Sequence, residues 1–452
     1  MENRIKIVAK PFKKLAIHKP SSSMLLFIAT FVALFLANSP WSSFYDDFLV
    51  RPVVFQIGSF NFFSHHGASM SVLAFVNDAL MALFFLLVGM EIKQEFLVGE
   101  LSSFRKAMFP IVGAFGGMIV PVIVFILICS SQPEIRGAAI PMATDIAFAL
   151  SVLALLGDRV SVSLKVFLTA LAVVDDIGGI IIIALFYSGH VVILPLILSF
   201  VVLLIIYLGG KLRVNHNSFY YIGGFIVWLL FLESGIHPTI SGVLVAFTIP
   251  ARPIVNLEGF SENLAQYLRV LPLKQEEVTP KATVLSNTQI RILRKIEETS
   301  DKAISPLQNM SDSLHPYVYY FILPLFAFVN AGISFNSIEP SMLIGIPLGV
   351  FSGLFIGKAL GIFSFAYLFL KSGMGIFPRG MNVKNLFALS LLGGIGFTVS
   401  LFIANLSYTG VPEVGANLLN QAKLGVFAGS LVSGLCGYFL LKKVLPPANA
   451  KE

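Results

Sequence analysis

Asp175 and Asp176 stand side by side in LAVVDDIGGIII (171–182), a run with no other polar side chain. Two more charged residues lie in comparably apolar company. They are Asp145, beside Thr144 in GAAIPMATDIAFALSVLALLG (137–157), and Lys358, in GLFIGKALGIF (353–363). A charge at the centre of an inserting helix costs roughly 2.5–3.5 kcal/mol. Four together approach about 10 kcal/mol, the stability of a whole domain, so these residues point to function. Two carboxylates in a low-dielectric site do not both ionise readily. Such a site carries protons, and once deprotonated its oxygens suit a hard cation. Proton and cation then compete for the same atoms, which is sufficient for exchange.

Adjacent helical positions differ by 100°, so the pair reaches one cavity with different neighbours. Gly178 and Gly179 are expected to admit another backbone closely. Asp145 has three open readings: balancing helix-dipole ends, ligating the ion, or capping a helix. Lys358 either balances the opposite dipole ends, pairs with a central aspartate, or snorkels to an interface. Glu91 and Glu95, in NDALMALFFLLVGMEIKQE (77–95), share a helix face. They form either a solvated helix end or an acidic mouth that attracts cations. His237, in SGIHPTISG, titrates near neutrality if exposed. Asp78 opens the same helix as Glu91, as a cap or as part of an outer vestibule.

The elements that carry these groups follow from composition. Of 452 residues 56% are hydrophobic and 12% charged, and mean hydropathy is +0.85. A soluble domain carries about 25% charged residues, so lipid is the solvent that fits. About twelve stretches approach the ~20 apolar residues of a spanning helix. They lie near 22–39, 72–92, 107–128, 138–156, 163–187, 190–209, 219–234, 236–250, 316–335, 341–370, 384–407 and 421–444. The expected fold is therefore an all-α polytopic membrane protein of about 12 transmembrane helices.

Alternating the loops from the basic N-terminus leaves only Arg51, Arg136 and Lys423 on one side. Both termini are thus expected in the cytoplasm. The net charge of +7 is a topology signal and gives no reason to invoke nucleic acid. The N-terminus does not read as a cleaved signal peptide. Cys129 and Cys436 stand singly, so no disulfide framework is expected.

The expected organisation is membrane helices over 1–252, a polar cytoplasmic loop over 253–315, membrane helices over 316–444 and a tail over 445–452. Residues 286–303 read as an amphipathic surface helix opening at Ser286. The stretch 51–63, with Gly58, reads as a short extracytoplasmic hairpin. Spans 137–157 and 390–407 look interrupted, the latter by Gly393, Gly394 and Gly396. Broken helices at membrane depth line protected cavities, and a pair of them points to a transport site between two inverted repeats, spans 3–5 and 10–12.

ATDIAFALSVLALLGDR (143–159) and KVFLTALAVVDDIGGIIIIALFY (165–187) closely resemble the NhaA-type bacterial sodium/proton antiporters. The likeness continues in FFLLVGMEIKQE, SGIHPTISGVLVAF, HPYVYYFILPLFAFVNAGISF, GKALGIF and LLGGIGFTVSLFIANLSY, in the same order. This family is among those from which the repeat rule is drawn, so the two signals are not independent. The resemblance implies Asp176 as principal Na+ ligand and Asp175 as its partner in proton exchange, in contact with Lys358. It implies Thr144 and Asp145 at a crossing of two interrupted helices, and Glu91, Glu95 and His237 in pH response at the cytoplasmic mouth. It further implies electrogenic exchange of Na+ or Li+ for more than one H+, no cofactor, and a homodimer through the 51–63 hairpin in the inner membrane. The 253–304 segment is longer than the loop the family leads one to expect, and Asp312 is shifted.

Other readings are a sodium-coupled symporter of an organic solute, an intramembrane aspartyl protease and a passive channel. The symporter needs a roomy pocket with aromatic or amide groups, the protease two facing carboxylates. The small apolar residues around these charges favour a bare ion and an antiporter, not an enzyme.

Overall fold

The computed structural model describes residues 22–446 except 59, 66–67, 188, 190, 215, 272–284, 336–339, 376, 379 and 413. The expected N-terminal basic stretch and C-terminal tail lie largely outside the described residues. The chain forms α1 (Ser22–Ala37), α2 (Ser42–Val50), α3 (Val72–Leu97) and α4 (Phe104–Ile128). A 3-10 segment, Glu134–Met142, leads into α5 (Ile146–Ala154). Then come α6 (Val162–Phe186), α7 (Ile193–Lys211), α8 (Asn217–Ser234) and α9 (Thr239–Thr248). Two amphipathic helices follow, α10 (Leu257–Val270) and α11 (Asn287–Ala303), and then α12 (306–330). The last elements are α13 (Met342–Lys371), α14 (Val383–Gly393), α15 (Phe397–Tyr408) and α16 (Gly415–Val444).

Six of these helices are long and apolar enough to cross a membrane, and up to nine spans result if each bent pair counts once. The protein is polytopic. The 3-10 segment and α5 meet at 41°, and α14 and α15 at 44°. Each break has a local cause. Ala143 is extended and Asp145 turns the chain into α5 as its N-cap, while Gly394 and Gly396 flank Ile395 between α14 and α15. Without a lipid-derived hydrophobic force between helices, close packing sets the crossings. Gly116 of α4 lies against Gly361 of α13, where an added Cβ would sit 2.2 Å from the Gly361 carbonyl oxygen. Gly242 of α9 meets the Ala82 carbonyl of α3 in the same way, at 2.3 Å.

Several expectations change. Gly178 faces the Met118 sulfur and Gly179 faces nothing within 4 Å, so neither admits a backbone. The close contacts belong to glycines outside the aspartate motif. The polar loop ends before residue 315, because Ser305 caps a helix that Pro306 opens and that continues to Asn330. Polarity of its first three turns hid that start. Residues 51–71 hold two short hairpins, Gln56–Ile57 with Phe60–Asn61 and Ser64–His65 with Ala68–Ser69. The first turns at Gly58, with φ of +64°. The Ser286 capping box does open α11.

Candidate functional site

The two broken helices cross at the buried charges. The N-terminal ends of α5 and α15 converge on Asp145. Its Oδ1 accepts the Phe148 N–H at 3.1 Å, and its Oδ2 accepts the Thr398 N–H at 3.0 Å and the Thr398 hydroxyl at 2.5 Å. One carboxylate therefore serves two positive helix ends. Its oxygens are fully engaged by protein donors. A protease-like dyad, which needs a second carboxylate across a shared water, does not form there.

The C-terminal ends converge on the opposite charge. Lys358, fully buried, donates from Nζ to the Met142 carbonyl, where the 3-10 segment ends. It also pairs with Asp175 Oδ2 at 2.9 Å. Thr144 Oγ1 lies 2.7 Å from that same Oδ2 and 2.9 Å from the Gly393 carbonyl at the end of α14. A hydroxyl has one proton for these two acceptors, so Thr144 ties Asp175 to the break in α14. Asp175 Oδ1, in contrast, is buried without a hydrogen-bond partner. Gly117 and the Ile362 side chain lie beside it: a Cβ on Gly117 would stand 3.8 Å from Oδ1 and 2.7 Å from Ile362.

Asp176 differs from its neighbour. It is 9% exposed, against 1% for Asp175. Among the described residues nothing donates to it, and Asp175, Glu91, Lys358 and Asp145 are the charges that act on it. The site thus combines one carboxylate paired with a lysine and one without a protein donor among the described residues.

The Glu91, Glu95 and His237 group is divided by the structure. Glu91 lies within electrostatic reach of Asp176. Glu95 reaches forward past the end of α3, where its Oε2 accepts the Glu100 N–H at 3.1 Å. His237 is not at this mouth. Its Nε2 lies 3.5 Å from Asp78 Oδ1 at the other end of α3, and its Nδ1 is 2.7 Å from the Thr239 hydroxyl. The thirteen residues from Asp78 to Glu91 are about 20 Å of helix. α9 runs beside α3 in the same direction, Gly242 against Ala82 and Ala246 against Gly89, which keeps the turn before α9 at the Asp78 end. Lys423 also needs correction. It is a buried residue of α16, 8% exposed, donating to the Gly332 carbonyl at 3.2 Å, so it is no loop charge.

Two further polar features, one at the break and one elsewhere between the helices, carry no sequence signal of their own. Ser430 Oγ accepts the Gly396 and Phe397 N–H groups, both at 3.2 Å, and so holds the start of α15. Asn77, Asn330 and Asn405 join three helices: Asn330 Nδ2 donates to Asn77 Oδ1 at 2.8 Å, and Asn405 Nδ2 to Asn330 Oδ1 at 2.6 Å. Three π-helical turns, Phe75–Leu80, Val318–Ile322 and Gly353–Gly357, each hold or adjoin a polar residue: Asn77 and Asp78, Tyr319, and Lys358. Such turns often mark functional sites.

Comparison with known proteins agrees along the whole chain. The family described as Na+/H+ antiporter 1 matches residues 13–441. A Na(+)/H(+) antiporter NhaA of Parabacteroides distasonis is 61% identical over 446 residues, covering 99% of this chain and 98% of the relative. One from Porphyromonas gingivalis is 51% identical over 442 residues, covering 98% and 97%. The Na(+)/H(+) antiporter NhaA 2 of Syntrophotalea carbinolica is 41% identical over 446 residues, covering 98% of each chain. The long 253–304 segment is thus accommodated within the length of these relatives. Family model and relatives alike establish that the chain belongs to the Na+/H+ antiporter 1 family.

Proposed function

We propose that this chain exchanges cytoplasmic Na+ or Li+ for external H+, moving more protons than cations per cycle, as a twelve-span homodimer of the bacterial inner membrane. The observation that carries this reading is the unequal aspartate pair. Lys358 occupies Asp175 Oδ2, while among the described residues Asp175 Oδ1 and the whole of Asp176 have no protein donor. A cation entering between Asp176 and Asp175 competes with the Lys358 ammonium and with protons for the same oxygens. The loaded and unloaded states therefore differ in charge at the point where both broken helices meet. A site of that kind responds to cargo by rearranging the crossing, as alternating access requires.

Spans 3–5 (α4, the Glu134–Ala154 pair and α6) and 10–12 (α13, the α14–α15 pair and α16) each run long, broken, long, and we take them as the inverted repeats. Both termini lie in the cytoplasm. Glu91 serves as the acidic mouth and contributes to pH response, and the 51–63 hairpin meets its copy in the dimer. The transported ions are the only small partners, with no cofactor, and the bilayer is the solvent.

The test uses purified protein in liposomes holding a pH gradient and an internal pH dye. Sodium and lithium are expected to collapse the gradient in the wild type, with potassium and choline inert, and Asp176→Asn is expected to abolish the response. Wild-type turnover in Asp176→Asn at saturating sodium would refute the ion assignment.

A further inference from the structure

The aspartate pair is buried, so a cation must reach it along some route from the Glu91 side, and none of the residues discussed so far lines the last step. Tyr319 stands there. It belongs to the π-helical turn Val318–Ile322 of α12, where the extra residue in the turn rotates the ring away from its α-helical position. This turn packs against α3, which carries Glu91. The ring also borders a narrow gap with Ala147 and Phe148 in the first turn of α5, the helix that Asp145 caps. On its outward side the His315 imidazole lies over it, with centroids 4.2 Å apart and planes 28° from parallel. His315 is exposed and Tyr319 half-buried, so the stacked pair runs from the surface inward along α12. Carboxyls from three helices act on the phenol together: Glu91, Asp145 and Asp176. Among the described residues no group bonds to its hydroxyl.

A neutral phenol in a field of three acids has a definite chemistry. Hard cations take neutral oxygens as ligands in place of water, and an aromatic face attracts them electrostatically. A neutral oxygen also lacks the charge that would trap the ion before it reaches Asp176. We infer that Tyr319 is a ligand on the access route, exchanging one water of the incoming Na+ or Li+ for its hydroxyl between Glu91 and Asp176. This inference rests on the exchange reading above. It makes the residue a determinant of apparent cation affinity on one face only, which a packing role would not do.

The test compares wild type, Tyr319→Phe and Tyr319→Gln in vesicles of both orientations, with Na+ added to one face at a time. Phe keeps the ring and removes the oxygen. It is expected to raise half-saturating Na+ about tenfold on the Glu91 face, the equivalent of about 1.4 kcal/mol. Maximal rate should hold within about twofold and the opposite face should not change. Gln returns a neutral oxygen without the ring and is expected to stay nearer to wild type than Phe. An unchanged affinity in Tyr319→Phe, an equal rise on both faces, or Gln worse than Phe would overturn the assignment. A wild type silent to sodium and lithium would remove the exchange reading itself, and this one with it.

Discussion

The Lys358–Asp175 pair allows a prediction that separates electrostatic coupling from simple loss of packing. Both side chains are essentially inaccessible, at 0% and 1% exposure, and their charged atoms are 2.9 Å apart. Lys358→Met removes the ammonium while keeping an unbranched side chain of similar reach. It leaves Asp175 with the Thr144 hydroxyl alone, its Oδ1 already lacking a partner. Breaking a buried pair from one side costs about 3–5 kcal/mol, because an uncompensated charge stays behind. Asp175→Asn is milder, about 1–3 kcal/mol, since Lys358 keeps the Met142 carbonyl and the new amide oxygen still accepts. Removing both charges leaves nothing uncompensated. The double variant is therefore expected to recover about 2–3 kcal/mol relative to the sum of the singles. The assay is the temperature at which half the detergent-solubilised protein stays monodisperse after heating, read as a rank order because such unfolding is irreversible. Lys358→Met should be lowest, and the double variant should rise above it. A double variant that melts below Lys358→Met, by the sum of the two losses, would refute the pairing as an energetic unit. Transport separates the roles further: Asp175→Asn is expected to cripple exchange, and Lys358→Met to alter the charge moved per turnover.

Other expectations follow from particular contacts. Gly116→Ala forces α4 away from α13, because its Cβ would stand 2.2 Å from a backbone oxygen, and should lower the melting temperature clearly. Gly179→Ala, with open space around it, should leave melting unchanged. Asp145→Ala removes three hydrogen bonds and two helix caps and should cost about 3–5 kcal/mol, with Asp145→Asn near half of that, in the same heating assay. Glu91→Gln should shift the pH at which exchange switches on, measured from dye traces at stepped pH. Glu95→Gln should act on stability through the Glu100 N–H instead. In α11 the Lys302 ammonium 2.7 Å away holds the Glu298 carboxyl below its ordinary value. A depressed carboxyl stabilises above the unfolded value and loses that contribution as pH falls, but this pair is exposed. Glu298→Gln should leave melting unchanged at pH 7.

Legibility in the sequence tracked how each feature is encoded. Membrane helices are written in runs of apolar residues, and the intramembrane charges stand out because their cost is large and local. Asp145, Asp175, Asp176 and Lys358 are all legible as buried charges in the sequence alone, and so is the break at Gly394 and Gly396. What the sequence withheld is relative placement. His237 and Glu91 each look like a titratable group near a helix end, yet only the pairing of α9 with α3 separates them by the length of α3. Lys423 counted as a loop charge because a lysine near a span end normally is one; its carbonyl partner comes from a turn ninety residues away in the chain. Gly116 and Gly361 carry no local signal, since a glycine's role in a crossing depends on the helix it meets.

The crossing explains why these failures cluster on contacts and not on elements. Two broken helices leave two N-ends and two C-ends in the membrane interior, and each demands an opposite charge or a hydrogen-bond partner there. The chain meets the N-ends with Asp145 and the C-ends with Lys358 and Thr144. Lys358 and Thr144 then both reach Asp175. The same two groups that stabilise the broken backbone therefore hold the carboxylate that a cation must claim. On the exchange we propose, loading the site and reshaping the crossing become one event, because an ion that displaces Lys358 from Asp175 would disturb a group that also anchors a half-helix.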